Sequence, residues 1–230
     1  MADGGAPTRA ALDAAWPGWD DPCDLVVGAD GGSAAAADLG LPLALVVGDA
    51  DSIDPGDLRR LREARLPVEL SRPDKDETDT ELAILAAILR GATTIVILGA
   101  LGGGRFDHAL ANVALLAHPA LAGIDASIVD PRARIRLLSA PAPDGGAARL
   151  ALDGRVGDLV SLLPLGQDAE GIRTTGLRFP LADETLVFGP ARGVSNVRAA
   201  AHASVSVRKG RLLVVETPVD ARAPSHDLDP

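Results

Sequence analysis

Short, unbroken apolar runs, each ending near a glycine or an acid and alternating with helical segments, constrain this chain most strongly. They fall at 25–29, 43–47, 94–98 and 126–129. A strand without polar alternation is buried on both faces, and the helices between such strands supply the cover, so the pattern predicts a parallel sheet. Helices are expected over 9–15, 33–39, 57–64, 82–90 and 106–117, with a short strand at 67–70. The punctuation agrees. Gly40 and Pro42 close the second helix, Thr78 and Glu81 form a capping box at the fourth, and His118-Pro119 stops the fifth.

From about residue 132 the pattern changes. Short candidate strands near 135–138, 148–152, 157–163, 171–178, 185–188, 203–207 and 211–216 are separated by glycine and proline turns. Residues 203–208 alternate with the period of a half-buried strand, and Arg208-Lys209-Gly210-Arg211 fits a hairpin turn. The expected fold class is therefore α/β: an N-terminal, mostly parallel sheet with helices on both faces, plus a smaller C-terminal all-β sandwich domain. Residues 1–131 form the first domain and 132–218 the second. The proline- and acid-rich stretch 219–230 is expected to be a disordered tail.

Aromatic residues make up 2% of the chain and tyrosine is absent, so Ala, Val, Leu and Ile must build the core. The formal net charge of -10 argues against a general nucleic-acid binder, which needs a basic surface, but not against a nucleotide arriving with magnesium. Cys23 is alone, so no intrachain disulfide framework exists. No apolar run is long enough to span a bilayer and the start does not read as a signal peptide, so no membrane partner and a cytoplasmic location are expected.

Three polar stretches stand out; Asp30-Gly31-Gly32, Gly48-Asp49 and the Gly102 loop fall at strand carboxyl ends, where ligands bind in open α/β sheets, and the cluster at 74–79 opens the following helix. The first is Gly48-Asp49-Ala50-Asp51-Ser52, with Asp30-Gly31-Gly32 at the preceding strand. Carboxylates at i and i+2 beside a strand end can face one magnesium ion, although an Asp-x-Asp-Ser stretch alone is also a common turn. The second is Asp74-Lys75-Asp76-Glu77-Thr78-Asp79, four acids in six residues. One helix cap needs fewer charges, and a cation would relieve their repulsion. Lys75 is one of only two lysines, the other being Lys209. The third is Gly102-Gly103-Gly104-Arg105-Phe106-Asp107-His108, a glycine loop opening a helix. Its backbone N–H groups, at Gly103 and Gly104 among others, and the Arg105 fork suit phosphate. The loop is neither a P-loop nor a dinucleotide fingerprint, and taken alone it reads equally as a tight turn. On local grounds His108 reads as a core or capping histidine, Trp16 and Trp19 as packing residues, and Gly193-Val194-Ser195-Asn196 as a polar turn.

Taken in order, Ala29-Asp30-Gly31-Gly32, Gly48-Asp49-Ala50-Asp51-Ser52-Ile53, Lys75-Asp76-Glu77-Thr78-Asp79, Gly104-Arg105-Phe106-Asp107-His108, Thr175-Gly176-Leu177 and Gly193-Val194-Ser195-Asn196 resemble the thiamine pyrophosphokinase family across residues 25–216. The resemblance implies an α/β domain followed by a β-sandwich, and transfer of diphosphate from ATP to the hydroxyl of thiamine, giving AMP. It implies Asp49, Asp51 and Asp79 as magnesium ligands, with Asp30 beside them and Asp107 completing an acidic wall. Ser52, Lys75, Thr78, Gly103, Gly104, Arg105 and His108 would contact ATP, and Ser195 and Asn196 the thiamine pyrimidine. Asp76 or Asp79 would take the hydroxyl proton. It also implies a homodimer holding thiamine between the sandwich of one subunit and the α/β domain of the other.

This chain departs from the family pattern in four places, one of them a glycine loop at 102–104 that is one glycine richer than the usual form. Ala50 separates the acid pair where Phe is frequent, and Lys75 stands where some members carry Gln. Only Phe179 or Phe188 is left to stack on thiamine in the second half. Two other classes compete: a glycosyltransferase using Asp49 and Asp51 to hold a metal and a nucleotide-sugar, and a non-catalytic thiamine- or nucleotide-binding protein.

Overall fold

The computed structural model describes residues 2, 7–49, 53–72 and 74–221. The chain divides into two units, 1–130 and 131–230.

The first unit runs α1 (Arg9–Ala15), β1 (Val26–Ala29), α2 (Ser33–Asp38), β2 (Leu43–Gly48), α3 (Pro55–Glu63), β3 (Val68–Leu70), α4 (Asp79–Leu89), β4 (Thr94–Ile97), α5 (Phe106–Leu115) and β5 (Asp125–Asp130). The strands β1, β2 and β3 form a parallel sheet, with Val27 opposite Leu45 and Val47 opposite Glu69. β4 and β5 pair in parallel, Ile95 opposite Ala126. The parallel strands are thus hydrogen-bonded as two groups.

Alternating side chains explain the cover of β1 and β2. Val27, Ala29, Leu45 and Val47 pack on Ala83 and Ala86 of α4. On the opposite face the backbone of α2 comes so close that a Cβ on Gly28 would meet Ser33 Cβ at 2.7 Å. Only glycine allows that approach. Helices therefore lie on both faces here, as an unbroken apolar run requires. β4 differs, because Thr94 and Val96 stay exposed while Ile95 and Ile97 are buried. A separate apolar cluster joins Leu12 and Trp16 to Leu39, Leu98 and Val129. Trp16 Nε1 donates to the Asp130 carbonyl at 2.9 Å, so this tryptophan packs with its one polar atom satisfied. Trp19 lies under the Arg9 guanidinium.

The second unit is entirely antiparallel. Its strands are β6 (Ala133–Ala140), β7 (Ala148–Leu152), β8 (Leu159–Pro164), β9 (Ala169–Thr175), β10 (Ala182–Leu186), β11 (Asn196–Val197), β12 (Ala203–Val207) and β13 (Gly210–Thr217). One sheet has the order β10-β9-β12-β7; in the other β11, β8, β13 and β6 are successive neighbours. Inward residues from both, among them Leu138, Val160, Leu162, Ile172, Val205, Val207, Leu212 and Val214, share one core.

Two expectations need correction. Residues 208–211 are not a hairpin turn, because β12 and β13 belong to different sheets. The chain instead turns a corner between layers, held by Glu170 backbone bonds to Arg208 and Lys209. Gly210 permits the corner with φ +91°, where a Cβ would lie 2.4 Å from the Asp168 carbonyl. The stretch expected to be disordered begins too early at 219. Val219–Ala221 forms a 3-10 turn, and Val219 N–H donates to the buried carboxylate of Asp158 at 2.8 Å. The remainder of that stretch, 222–230, lies outside the described residues.

Candidate active site

Three carboxylates meet where β1 and β2 end and α4 begins. Asp30 follows β1 directly, buried, in a left-handed backbone conformation with φ 43°. Asp49 follows Gly48 at the end of β2 and is half-buried. Asp79 is the first residue of α4, where the helix dipole favours a negative charge. One carboxylate oxygen from each lies within 4.8 Å of the others. Two unit charges about 5 Å apart repel by roughly 3 kcal/mol at an effective dielectric of ~20, so a cation among ionised carboxylates is favourable.

Lys75 supplies one. Its Nζ forms an ion pair with Asp79 Oδ1, lies 3.9 Å from Asp49 Oδ2 and donates to Ser71 Oγ at 2.8 Å. Ser71 is itself tied to the end of β2, because its N–H donates to the Gly48 carbonyl at 2.9 Å. Gly48 leaves room for the whole arrangement. Its φ is +151°, and a Cβ there would meet Asp30 Cβ at 2.9 Å and Asp79 Oδ1 at 3.1 Å.

These observations fit a magnesium ion. The donors are hard carboxylate oxygens, a glycine keeps the cradle open, and an ammonium already stands among them as a cation. Asp49 and Asp79 are two of the three ligands expected from the resemblance. Asp51 and Ser52, the other motif residues, lie outside the described residues.

The remaining candidates are distributed as follows. Asp76 is exposed and stands outside the trio. Thr78 is the N-cap of α4, its Oγ1 accepting from Glu81 N–H at 3.2 Å. Gly103, with φ +79°, and Gly104 are exposed in the loop after β4, and a Cβ on Gly104 would meet nothing within 4 Å. Arg105 forks onto Asp107, with Nε to Oδ1 at 2.9 Å and Nη2 to Oδ2 at 2.6 Å. That hydrogen bond is the main reason the Asp107 carboxyl is held well below the usual carboxylate range and the Arg105 guanidinium is raised. His108 is exposed on the first turn of α5, so it is not a core residue. It is not a cap either, because the N-cap of α5 is Arg105 and no side-chain cap bond is made there. The capping histidine is His118, whose Nδ1 accepts from Ala120 N–H at 3.1 Å.

In the second unit, Ser195 is exposed with φ 61°, and its N–H donates to Ser161 Oγ at 3.1 Å. The Asn196 amide is engaged by backbone. Its Oδ1 accepts from Phe179 N–H at 3.0 Å and from Val197 N–H at 2.8 Å, while Nδ2 donates to the Phe179 carbonyl at 2.6 Å. Asn196 therefore pairs with Phe179 as a strand residue would, and Phe179 is left 61% exposed beside it.

Sequence reading placed Gly48 in the first motif without giving it a role, and did not single out Ser71. A glycine between an apolar run and an acid is a usable signal for the first. Ser71 carries none, because its role comes from a backbone bond and a lysine four residues on.

Comparison with known proteins follows the same division. The family model described as thiamin pyrophosphokinase, catalytic domain, matches residues 19–128, and thiamin pyrophosphokinase, vitamin B1 binding domain, matches residues 149–212. The thiamine pyrophosphokinase of Bacillus subtilis is 27% identical over 200 residues, covering 87% of this chain and 90% of that protein. A crystal structure of thiamine pyrophosphokinase from Bacillus subtilis aligns with TM-score 0.79 at 25% identity, covering 94% of this chain and 96% of that one. The thiamin pyrophosphokinase structure from Geobacillus thermodenitrificans gives TM-score 0.74 at 26% identity, with 97% of each chain covered. The fold and these matches define an enzyme of the transferase class. The chain belongs to the thiamin pyrophosphokinase family. Neither the glycosyltransferase nor the non-catalytic reading survives that membership. Among the described residues, no helix is long and apolar enough to cross a membrane.

Proposed function

We propose that this enzyme transfers the terminal diphosphate of ATP to the hydroxyethyl oxygen of thiamine, releasing AMP. The observation that carries the reading is the convergence of Asp30, Asp49 and Asp79 at the ends of β1 and β2 and the start of α4. It is supported by the match of both family domains in order.

In this reading Asp49, Asp51 and Asp79 would hold magnesium, with Asp30 beside them. Bound there, the ion would supply positive charge against the charge building on the phosphate oxygens. Arg105 exchanges Asp107 for a phosphate oxygen, and Lys75 exchanges a carboxylate for one. The N–H groups of Gly103 and Gly104 receive phosphate at the start of α5, near His108. Ser52 and Thr78 complete the nucleotide contacts. The new bond joins the thiamine oxygen to the β-phosphorus and the bond from that phosphorus to the α-phosphate oxygen breaks. The hydroxyl proton passes to Asp76 or Asp79. Ser195 and Asn196 belong to the thiamine side, and since the Asn196 amide is already bonded to backbone, its contribution is to fix Phe179 and the loop. Residues 1–131 are the catalytic domain and 132–218 the thiamine-binding and dimerisation domain. The homodimer and the cytoplasmic location are part of the same reading.

The test is incubation of the purified protein with ATP, magnesium and thiamine. AMP and thiamine diphosphate should form in equal amounts, and chelation of the metal should stop both. ADP as the nucleotide product, or no thiamine-dependent AMP, would overturn the proposal. Asp51→Asn and Asp79→Asn should each abolish turnover with the circular dichroism spectrum unchanged.

A further inference from the structure

We infer that Lys75 is a built-in counter-cation that makes the carboxylate site discriminate against a free divalent ion and accept one that arrives with a polyphosphate. The inference rests on the diphosphotransferase reading of this site.

Lys75 is placed as a cation among ligands rather than as a surface charge. Its side chain is only 13% exposed. It ion-pairs with Asp79, approaches Asp49 and is anchored by Ser71. That anchor is fastened to the carbonyl of Gly48, so the ammonium is registered to the strand end that presents Asp49. The residue type matters as well. Lysine is one of two in a chain that otherwise uses arginine, and the second, Lys209, pairs with Glu170 in the β unit. An ammonium is a compact charge with three rotatable donors, able to meet two carboxylates and a hydroxyl. A planar guanidinium is built for side-on forks instead.

The consequence is electrostatic. A divalent ion entering alone must take Asp79 from Lys75 and then sit beside a displaced ammonium, which it repels. An ion arriving with a polyphosphate brings the anionic partner that the released ammonium needs. Metal and nucleotide therefore bind with positive coupling, and linkage requires each to raise the affinity of the other by the same factor. A carboxylate trio with no internal cation would take up the free ion readily and gain less from the nucleotide. The competing explanation is a structural tie of the i, i+4 type at the start of α4, which would leave metal affinity unaltered when removed.

The experiment measures Mn²⁺ binding by the loss of the free-ion electron paramagnetic resonance signal, with and without α,β-methylene-ATP, the loss caused by the nucleotide without protein being subtracted. It uses the full chain, Lys75→Gln, Lys75→Arg and Asp79→Asn. Lys75→Gln should bind Mn²⁺ alone about tenfold more tightly than the parent, and the tightening produced by the nucleotide should fall by about the same factor. Lys75→Arg keeps the charge and should keep the weak binding of the free ion. Free-ion affinity in Lys75→Gln equal to or weaker than the parent's overturns the inference while the metal site stands. No Mn²⁺ binding by any of the proteins, with or without nucleotide, overturns the metal reading and this inference with it. If Lys75→Gln does not fold, the parent decides: Mn²⁺ binding unaltered by the nucleotide overturns the inference.

Discussion

At the scale of single residues, the site depends on an atom that is missing. Gly48 stands between β2 and Asp49, and its absent Cβ is what lets Asp30 and Asp79 approach each other across the strand end. Gly48→Ala puts a methyl group within 3.1 Å of both carboxylates, at a φ that L-residues rarely adopt. It should cost about 1–3 kcal/mol of stability by denaturant titration and remove most of the turnover. Wild-type turnover would show that the trio is not held from this side. A second residue-scale prediction concerns Arg105 and Asp107, which in the free protein satisfy each other in solvent. The Asp107 carboxyl is held below its ordinary value chiefly by the Arg105 hydrogen bond. A carboxylate depressed on folding stabilises above its unfolded value, and that contribution is lost as pH falls through the lower, folded one. Carbon-13 NMR should therefore find Asp107 still ionised below pH ~3.8, and Arg105→Gln should return its titration to the ordinary carboxylate range.

At the scale of elements, α4 ties the fold to the chemistry, because the same turn that starts the helix aims Asp79 at the site. Thr78→Ala removes the hydroxyl that accepts from Glu81 N–H and should cost about 1 kcal/mol, while Thr78→Ser retains it. Loss of activity in Thr78→Ala that Thr78→Ser restores would support the nucleotide contact assigned to the same hydroxyl. The cap was legible in the sequence because both partners are local: a threonine and a glutamate three residues apart before an apolar run. The strands of the first unit were legible for a similar reason, since burial on both faces leaves an unbroken apolar signature. The corner at 208–210 was not. Local alternation and a Lys-Gly turn are the same whether the next strand pairs with the last or crosses to the other sheet, and the choice is made by contacts with Asp168 and Glu170 far back in the chain. Asn196 and Lys75 were half-legible in the same sense. Their residue types marked a polar role, but the partners that occupy them, the Phe179 backbone and the acidic trio, are fixed only by folding.

At the scale of the whole molecule, chemistry and spectroscopy divide along the same boundary. The chain has two tryptophans and no tyrosine, and both tryptophans, Trp16 and Trp19, lie in the unit that carries the carboxylate trio. Trp16 is buried against Leu12, Leu39, Leu98 and Val129, so its emission reports unfolding of that unit. The antiparallel unit, with Leu212 fully buried in its core, contributes to far-ultraviolet dichroism and nothing to that emission. Ligands that bind only a folded site stabilise it by mass action, about 2.7 kcal/mol at one hundred times the dissociation constant. Magnesium with α,β-methylene-ATP should therefore raise the unfolding free energy read from tryptophan emission in urea by that amount. Leu212→Ala removes core atoms from the other unit and should lower the unfolding free energy read from dichroism by about 2–5 kcal/mol. The nucleotide effect on emission should persist in Leu212→Ala, because the residues assigned to phosphate all precede residue 131. An emission midpoint insensitive to magnesium and nucleotide in the parent would remove the phosphate site from the first unit. An effect present in the parent and abolished by Leu212→Ala would show that nucleotide binding requires an intact second unit.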